Sequence, residues 1–126
     1  MKINLMTAAA VALTLATPAF AEGDAEVGEK VFRKCKACHQ VGEDAKNRVG
    51  PVLNGIVGQP AGAVEDFKYS KVMQERAAEG LVWTDEELSA FLASPKKYMK
   101  GTKMSFAGLR KDDDIEDVIA YLASFE

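Results

Sequence analysis

Five consecutive residues, Cys35-Lys36-Ala37-Cys38-His39, hold the only two cysteines and the only histidine of this 126-residue chain. Two thiols three positions apart, followed at once by an imidazole, form the attachment pattern of a c-type haem. The thiols add to the two vinyl groups of the porphyrin, and the adjacent imidazole reaches the iron as proximal ligand. Three other uses compete. A disulfide between Cys35 and Cys38 would close so short a loop that it removes little unfolded-state entropy. A thioredoxin-like redox pair needs a βαβ context, and the chain shows no β-rich runs. Zinc would have three clustered ligands and no second Cys/His pair, a poor structural site. Haem is the reading these residues favour.

With one histidine in the chain, the opposite face of the iron falls to another residue or stays open. Beyond the first 21 residues the methionines are Met73, Met99 and Met104. Met73 and Met99 sit in predicted helical stretches among apolar neighbours, where methionine is usually core filler. Met104 lies in Gly101-Thr102-Lys103-Met104-Ser105-Phe106-Ala107-Gly108, a glycine-flanked loop 65 residues after His39 that can cross to the other haem face. Composition favours Met104 without excluding the other two.

These residues need elements to position them. Asp24 can cap a helix running to about Lys36, with Val27, Val31 and Phe32 on one stripe and Gly28 one turn before Phe32. From His39 to about Phe67 the glycines and prolines (Gly42, Gly50, Pro51, Gly55, Gly58, Pro60, Gly62) predict loop rather than strand. Ser70 opens a short helix closed by Gly80. Thr84-Asp85-Glu86-Glu87 reads as a capping box ahead of inward-facing Leu88, Phe91 and Leu92. Ser94-Pro95 ends that helix and starts a short turn through Met99. Asp112 or Asp113 begins a terminal helix with Ile115, Val118, Ile119, Leu122 and Phe125 at helical spacing. The expected fold is all-α, four to five short helices and Gly-rich loops wrapped around one covalently bound haem. Loops this long usually argue against an assignment, but a large flat cofactor can supply the core that the chain lacks. The apo-protein should then be marginal or unfolded.

The first residues add a compartment. Lys2 precedes an uncharged stretch, Ile3 to Phe20, and Ala19-Phe20-Ala21 is a small-x-small cleavage site. Residues 1–21 read as a secretory signal peptide cut after Ala21. The competing reading, a membrane anchor, is weakened by Thr7, Thr14, Thr17 and Pro18 and by too short an apolar run. Residues 22–126 form a single domain of 105 residues, expected to be exported, soluble and monomeric. It carries 15 basic and 19 acidic residues, a net charge of −4, which excludes a general nucleic-acid binder. The charges are segregated: Lys96, Lys97, Lys100 and Lys103 fall in eight residues, and Lys34 and Lys36 flank the first cysteine. Asp112-Asp113-Asp114 and Glu116-Asp117 gather the acids elsewhere. This is either two solvated faces of opposite sign or, if both lysine groups surround one haem edge, a docking field.

The region from residue 22 onward resembles a small class I c-type cytochrome, of the bacterial cytochrome c2 and mitochondrial cytochrome c pattern. The resemblance runs from Cys-x-x-Cys-His through Arg48-Val49-Gly50-Pro51 and Leu53-Asn54-Gly55. It continues through Trp83, Pro95-Lys96-Lys97-Tyr98, Gly101-Thr102-Lys103-Met104 and Phe106-Ala107-Gly108 to Asp117-Val118-Ile119-Ala120-Tyr121-Leu122. It implies the cytochrome c fold, thioether bonds at Cys35 and Cys38, and His39 and Met104 as axial ligands. It implies a Pro51 carbonyl that accepts the His39 ring N–H, and Tyr69 and Trp83 as hydrogen-bond partners of a haem propionate. Gly28 and Phe32 match positions that pack on Val118 and Tyr121. There are departures: Gln59 stands where an arginine is frequent, Phe91 where a tyrosine is common, and Lys100 where a proline is frequent.

A His/Met-ligated haem has no open site and little geometric change between oxidation states. The resemblance therefore implies a one-electron carrier rather than an enzyme. Lys34, Lys36, Lys96, Lys97, Lys100 and Lys103 would ring the exposed haem edge and meet acidic patches on membrane complexes. The expected partners are a cytochrome bc1 type donor and a cytochrome oxidase or photosynthetic reaction centre as acceptor, in the periplasm. The alternative is a haem peroxidase or gas-binding sensor with a labile sixth ligand. A four-helix cytochrome c′ would carry its Cys-x-x-Cys-His near the C-terminus, and this chain carries it near the start. A third, non-haem reading is a thiol oxidoreductase.

Overall fold

The computed structural model describes residues 9–13 and 23–126. The proposed cleavage site after Ala21 and most of the signal segment lie outside the described residues. Five helices follow in chain order: α1 (Ala25–Phe32), α2 (Lys71–Ala78), α3 (Asp85–Ala93), α4 (Pro95–Tyr98) and α5 (Asp112–Ala123). Among the described residues no strand forms; a single bridge joins Pro60 and Val82. No helix there is long and apolar enough to cross a membrane.

The first and last helices make the base of the molecule. Asp24 caps α1 through bonds from the N–H groups of Glu26 and Val27, and its own N–H donates to Asp117 of α5. The buried face of α1 is Gly28, Val31 and Phe32; Val27, expected on that stripe, is exposed. Gly28 is there for closeness of approach. A Cβ at this position would lie 2.8 Å from Tyr121 Cβ and collide with the Asp117 carbonyl. The Phe32 and Tyr121 rings then meet at 5.3 Å. Val118 and Ile119, each 1% exposed, complete the interface. Burying side chains of this size contributes roughly 1.5–3 kcal/mol each.

The helix α1 stops at Phe32, short of Lys36. The N–H groups of Lys34 and Cys35 bond back three residues, to Val31 and Phe32. Tighter i→i+3 bonding of this kind ends helices. The α3 N-terminus forms only half of its expected capping box. Thr84 Oγ1 accepts the Glu87 N–H at 3.2 Å, but the Glu87 carboxylate is bonded to Tyr98. Thr84 N–H has no need of it, being held by the Val82 carbonyl at 2.8 Å. In α5, where Lys111 gives no side-chain cap, Asp112, Asp113 and Asp114 place negative charge at the positive end of the helix dipole. Ser70 caps α2 through the Met73 N–H, yet α2 buries none of its residues.

Candidate haem site

One cavity of about 300 Å³ opens above this base. The turn that follows α1 supplies its reactive side. The Cys35 carbonyl accepts N–H bonds from both Cys38 (3.1 Å) and His39 (2.9 Å), so one oxygen closes the pentapeptide into a compact turn. Cys35, Cys38 and His39 all line the cavity as a result. Both thiols are free, and among the described residues no three His, Cys, Asp or Glu side chains converge to hold a metal ion. Burial, then the neighbouring Cys38, push the Cys35 thiol up, with Lys34 acting against them, which keeps it a thiol rather than a thiolate.

The imidazole is fixed from two directions. His39 Nδ1 lies 2.8 Å from the Pro51 carbonyl oxygen. A carbonyl only accepts, so Nδ1 carries the proton and the Nε2 lone pair is left free for a metal. The face of the ring rests on Gly50: a Cβ there would stand 2.7 Å from both ring nitrogens. Gly50 N–H bonds the Cys38 carbonyl at 2.9 Å, which locks this loop to the pentapeptide. Burial holds the imidazole below its ordinary pKa, the Pro51 bond partly opposing, so His39 is in its neutral, ligating form at neutral pH.

Of the three candidate methionines, Met104 and Met73 line the cavity and Met99 does not. Met99 is 1% exposed, a core residue at the end of α4. Met104 sits in a loop pinned by its own N–H to Thr102 Oγ1 and by Thr102 N–H to the Met99 carbonyl. That α2 turns Met73 into the cavity was not legible in the sequence, where helical spacing suggested filler. Tyr69 and Trp83 also line it, as do Pro51, Gln59 and Phe91. Tyr69 accepts the Val64 N–H at 3.0 Å, which leaves its own hydroxyl proton available to a ligand.

The rest of the wall is mainly apolar, including Phe32, Leu88, Leu92, Val118 and Leu122, with Ser70, Thr102, Lys103 and Ser105 as polar exceptions, and among the described residues no carboxylate lines it. Free thiols at the edge, a neutral imidazole with an open nitrogen, a thioether and apolar walls together fit a covalently attached haem. The docking lysines are less gathered. Lys34, Lys36, Lys96, Lys97, Lys100 and Lys103 are all exposed, but of these only Lys103 lines the cavity. Among the described residues the single ion pair is Arg76–Glu79.

The sequence family described as Cytochrome c matches residues 25–126, nearly the whole described region. The chain belongs to the cytochrome c family. It is 52% identical over 101 residues to cytochrome c2 of Agrobacterium tumefaciens (strain II Chrys), spanning 80% of this chain and 91% of that one. With cytochrome c-550 of Ancylobacter novellus the identity is 56% over 98 residues, 78% of this chain and 92% of that one. The solved structure of cytochrome c2 from Rhodospirillum centenum superposes with a TM-score of 0.78 at 39% identity, covering 82% of this chain and 98% of that one. The all-α architecture is therefore the cytochrome c fold. As a c-type cytochrome resembling c2, the chain is an electron-transport protein of a family with covalently bound haem, and its two cysteines fit a single Cys-x-x-Cys-His motif.

Proposed function

We propose that the chain carries one haem c, thioether-bonded to Cys35 and Cys38, with His39 and Met104 as axial ligands, and that it shuttles single electrons in the periplasm. When bound, the haem iron supplies a reversible one-electron couple, with methionine sulfur favouring the reduced form. The observation that carries the reading is the His39 ring. Held by Pro51 on one edge and by Gly50 on one face, it presents a single free nitrogen to a cavity that Met104 also lines. Rigid ligands let the oxidation state change without rearrangement. The mostly apolar walls favour the exclusion of water from the iron. Tyr69, with its free hydroxyl proton, and Trp83 are suited to hold propionates.

Absorption spectra of the haem-loaded protein test this directly. Sharp reduced bands, a weak far-red methionine–iron band in the oxidised form, and no response to carbon monoxide are expected. A high-spin spectrum that shifts with carbon monoxide would instead mean an open sixth position and an enzyme or sensor.

The electron partners we infer are membrane complexes, a cytochrome bc1 type donor and an oxidase or reaction centre as acceptor, met through the exposed lysines. Lys103 stands at the cavity and Lys96, Lys97 and Lys100 on α4 and the loop leading to Met104. Replacing Lys97 and Lys103 by Glu should slow electron transfer to an acidic partner at low salt and matter little at high salt. Unchanged low-salt rates would remove the docking role.

A further inference from the structure

Away from the cavity, one loop junction carries a chemically labile pair of residues. Asn54 is followed by Gly55, the single Asn-Gly step of the chain, and the fold demands both residue types. Gly55 has a φ of +70°, a left-handed conformation in which a side chain would be strained. Asn54 is a two-pronged staple. Its Oδ1 accepts the Gly42 N–H at 2.9 Å, and its Nδ2 donates to the Gly42 carbonyl at 2.7 Å. An amide offers donor and acceptor side by side; a carboxylate offers acceptors alone. Together with the bond from Leu53 N–H to the Gln40 carbonyl, the staple ties the 40–46 loop to the segment after Pro51.

The same pair can react with itself. The Gly55 backbone nitrogen can attack the Asn54 side-chain carbon, and a glycine leaves that nitrogen unshielded. The N–Cγ bond forms, Nδ2 leaves as ammonia, and water opens the cyclic imide to aspartate or isoaspartate. Amide and water become carboxylate and ammonia, with no redox partner. Steric cover does not prevent this: Asn54 is exposed, and nothing stands within 4 Å of where a Gly55 Cβ would lie. Hydrogen bonds do. The Gly55 N–H donates to the Phe125 carbonyl at 2.5 Å, and the Asn54 amide is held by Gly42. Phe125 lies beyond the end of α5 and packs its ring edge-on against Tyr121, with centroids 5.0 Å apart. Chain ends fray unless tied down, and this one is tied at the atom that it keeps unreactive.

We propose that Asn54 is a deamidation site controlled by the C-terminal end of the chain, closed while the Phe125 carbonyl holds the Gly55 N–H and open when that end lifts. The reaction runs one way. Either product lacks the Nδ2 donor and sets a carboxylate against the Gly42 carbonyl, so the 40–46 loop loses its staple. None of Gly42, Asn54, Gly55 and Phe125 lines the haem cavity, so this chemistry is independent of the iron ligands. Asn47 is an internal control: Arg48 follows it, and its Oδ1 accepts the Val52 N–H at 2.9 Å.

The test incubates the haem-loaded protein in mildly alkaline buffer and follows the mass gain of deamidation at Asn54 and Asn47 by peptide mass spectrometry. The parent is compared with itself in denaturant and with Phe125→Ala, which removes the ring contact that seats the terminal carbonyl. Asn54 should convert slowest in the folded parent, several-fold faster in Phe125→Ala with unchanged haem bands, and fastest in denaturant. Phe125→Tyr, which keeps the ring, should return the parent's rate, and Asn47 should lag behind Asn54 throughout. Equal Asn54 rates in the folded and denatured parent would overturn the closed site, and that comparison needs no variant. A Phe125→Ala rate equal to the folded parent's would overturn control by the chain end.

Discussion

The two sides of the cavity are built on different principles. Beneath it, α1 and α5 bring their backbones together at Gly28 and bury Phe32, Val118 and Ile119 almost completely. Across from them, α2 buries none of its own residues. It is held by a Ser70 cap, by bonds of the adjoining loop such as Ala61 N–H to the Leu81 carbonyl, and by Arg76 lying on Tyr98. The base is stabilised by its own packing. The α2 side, whose Met73 and Ser70 line the cavity, is expected to draw stability from the haem that fills it.

The strongest way to test this contrast is to keep the haem out. A Cys35→Ala/Cys38→Ala chain, unable to form thioethers, should lose its cooperative unfolding transition, since a ligand bound only by the folded state contributes through mass action. Amide exchange should then show whatever protection survives confined to α1 and α5, with α2 unprotected. A cooperative transition with α2 protected would show that both sides stand without the cofactor.

The opposite break attacks the base. Gly28→Ala puts a methyl group into the Asp117 carbonyl and against Tyr121. Overpacking of this kind typically costs about 1–3 kcal/mol, and forcing α1 from α5 would also loosen the Asp24–Asp117 bond at 2.8 Å. In the haem-loaded protein the denaturant midpoint should fall accordingly, while the wavelengths of the haem bands stay in place. A midpoint unchanged within about 0.5 kcal/mol, the usual range for neutral surface changes, would mean the two helices can separate without cost.

What could be read in the sequence follows the same division. The helices whose signals are local were legible: Asp24, Ser70 and Thr84 all cap where their types and positions predicted. The Pro51 bond to His39 and the close approach of Gly28 to α5, implied by family resemblance, are present in the structure. The features that were not legible depend on three-dimensional encounters between separated segments. Glu87 carried a capping-box signal, yet a phenol eleven residues further on competes for it. Helical periodicity could not say that Met73 would face a cavity rather than a core. Nor did it reveal that α1 would tighten after Phe32 to bring both thiols and the imidazole to one wall.

The gentlest probe concerns the contact that ties the two styles of packing together, Tyr98 on Glu87 and beneath Arg76. Burial first, then the Glu87 bond and charge, push the Tyr98 hydroxyl up from its ordinary 10 to about 12, with Arg76 opposing. A raised folded-state pKa means that folding favours the protonated phenol. Its contribution is fully present below pH 10 and is lost as pH climbs from 10 towards 12. Unfolding midpoints of the parent should therefore fall more steeply across that window than those of Tyr98→Phe, which has no proton to lose. Every other group of the chain is common to both proteins and cancels in the difference. Because Tyr98 is only half-buried, solvent screens much of the interaction, and the divergence should be small. Parallel curves would mean that Tyr98 ionises alike folded and unfolded. Glu87 would then hold no proton-bearing partner, and α2 would rest on the cofactor and its loop bonds alone.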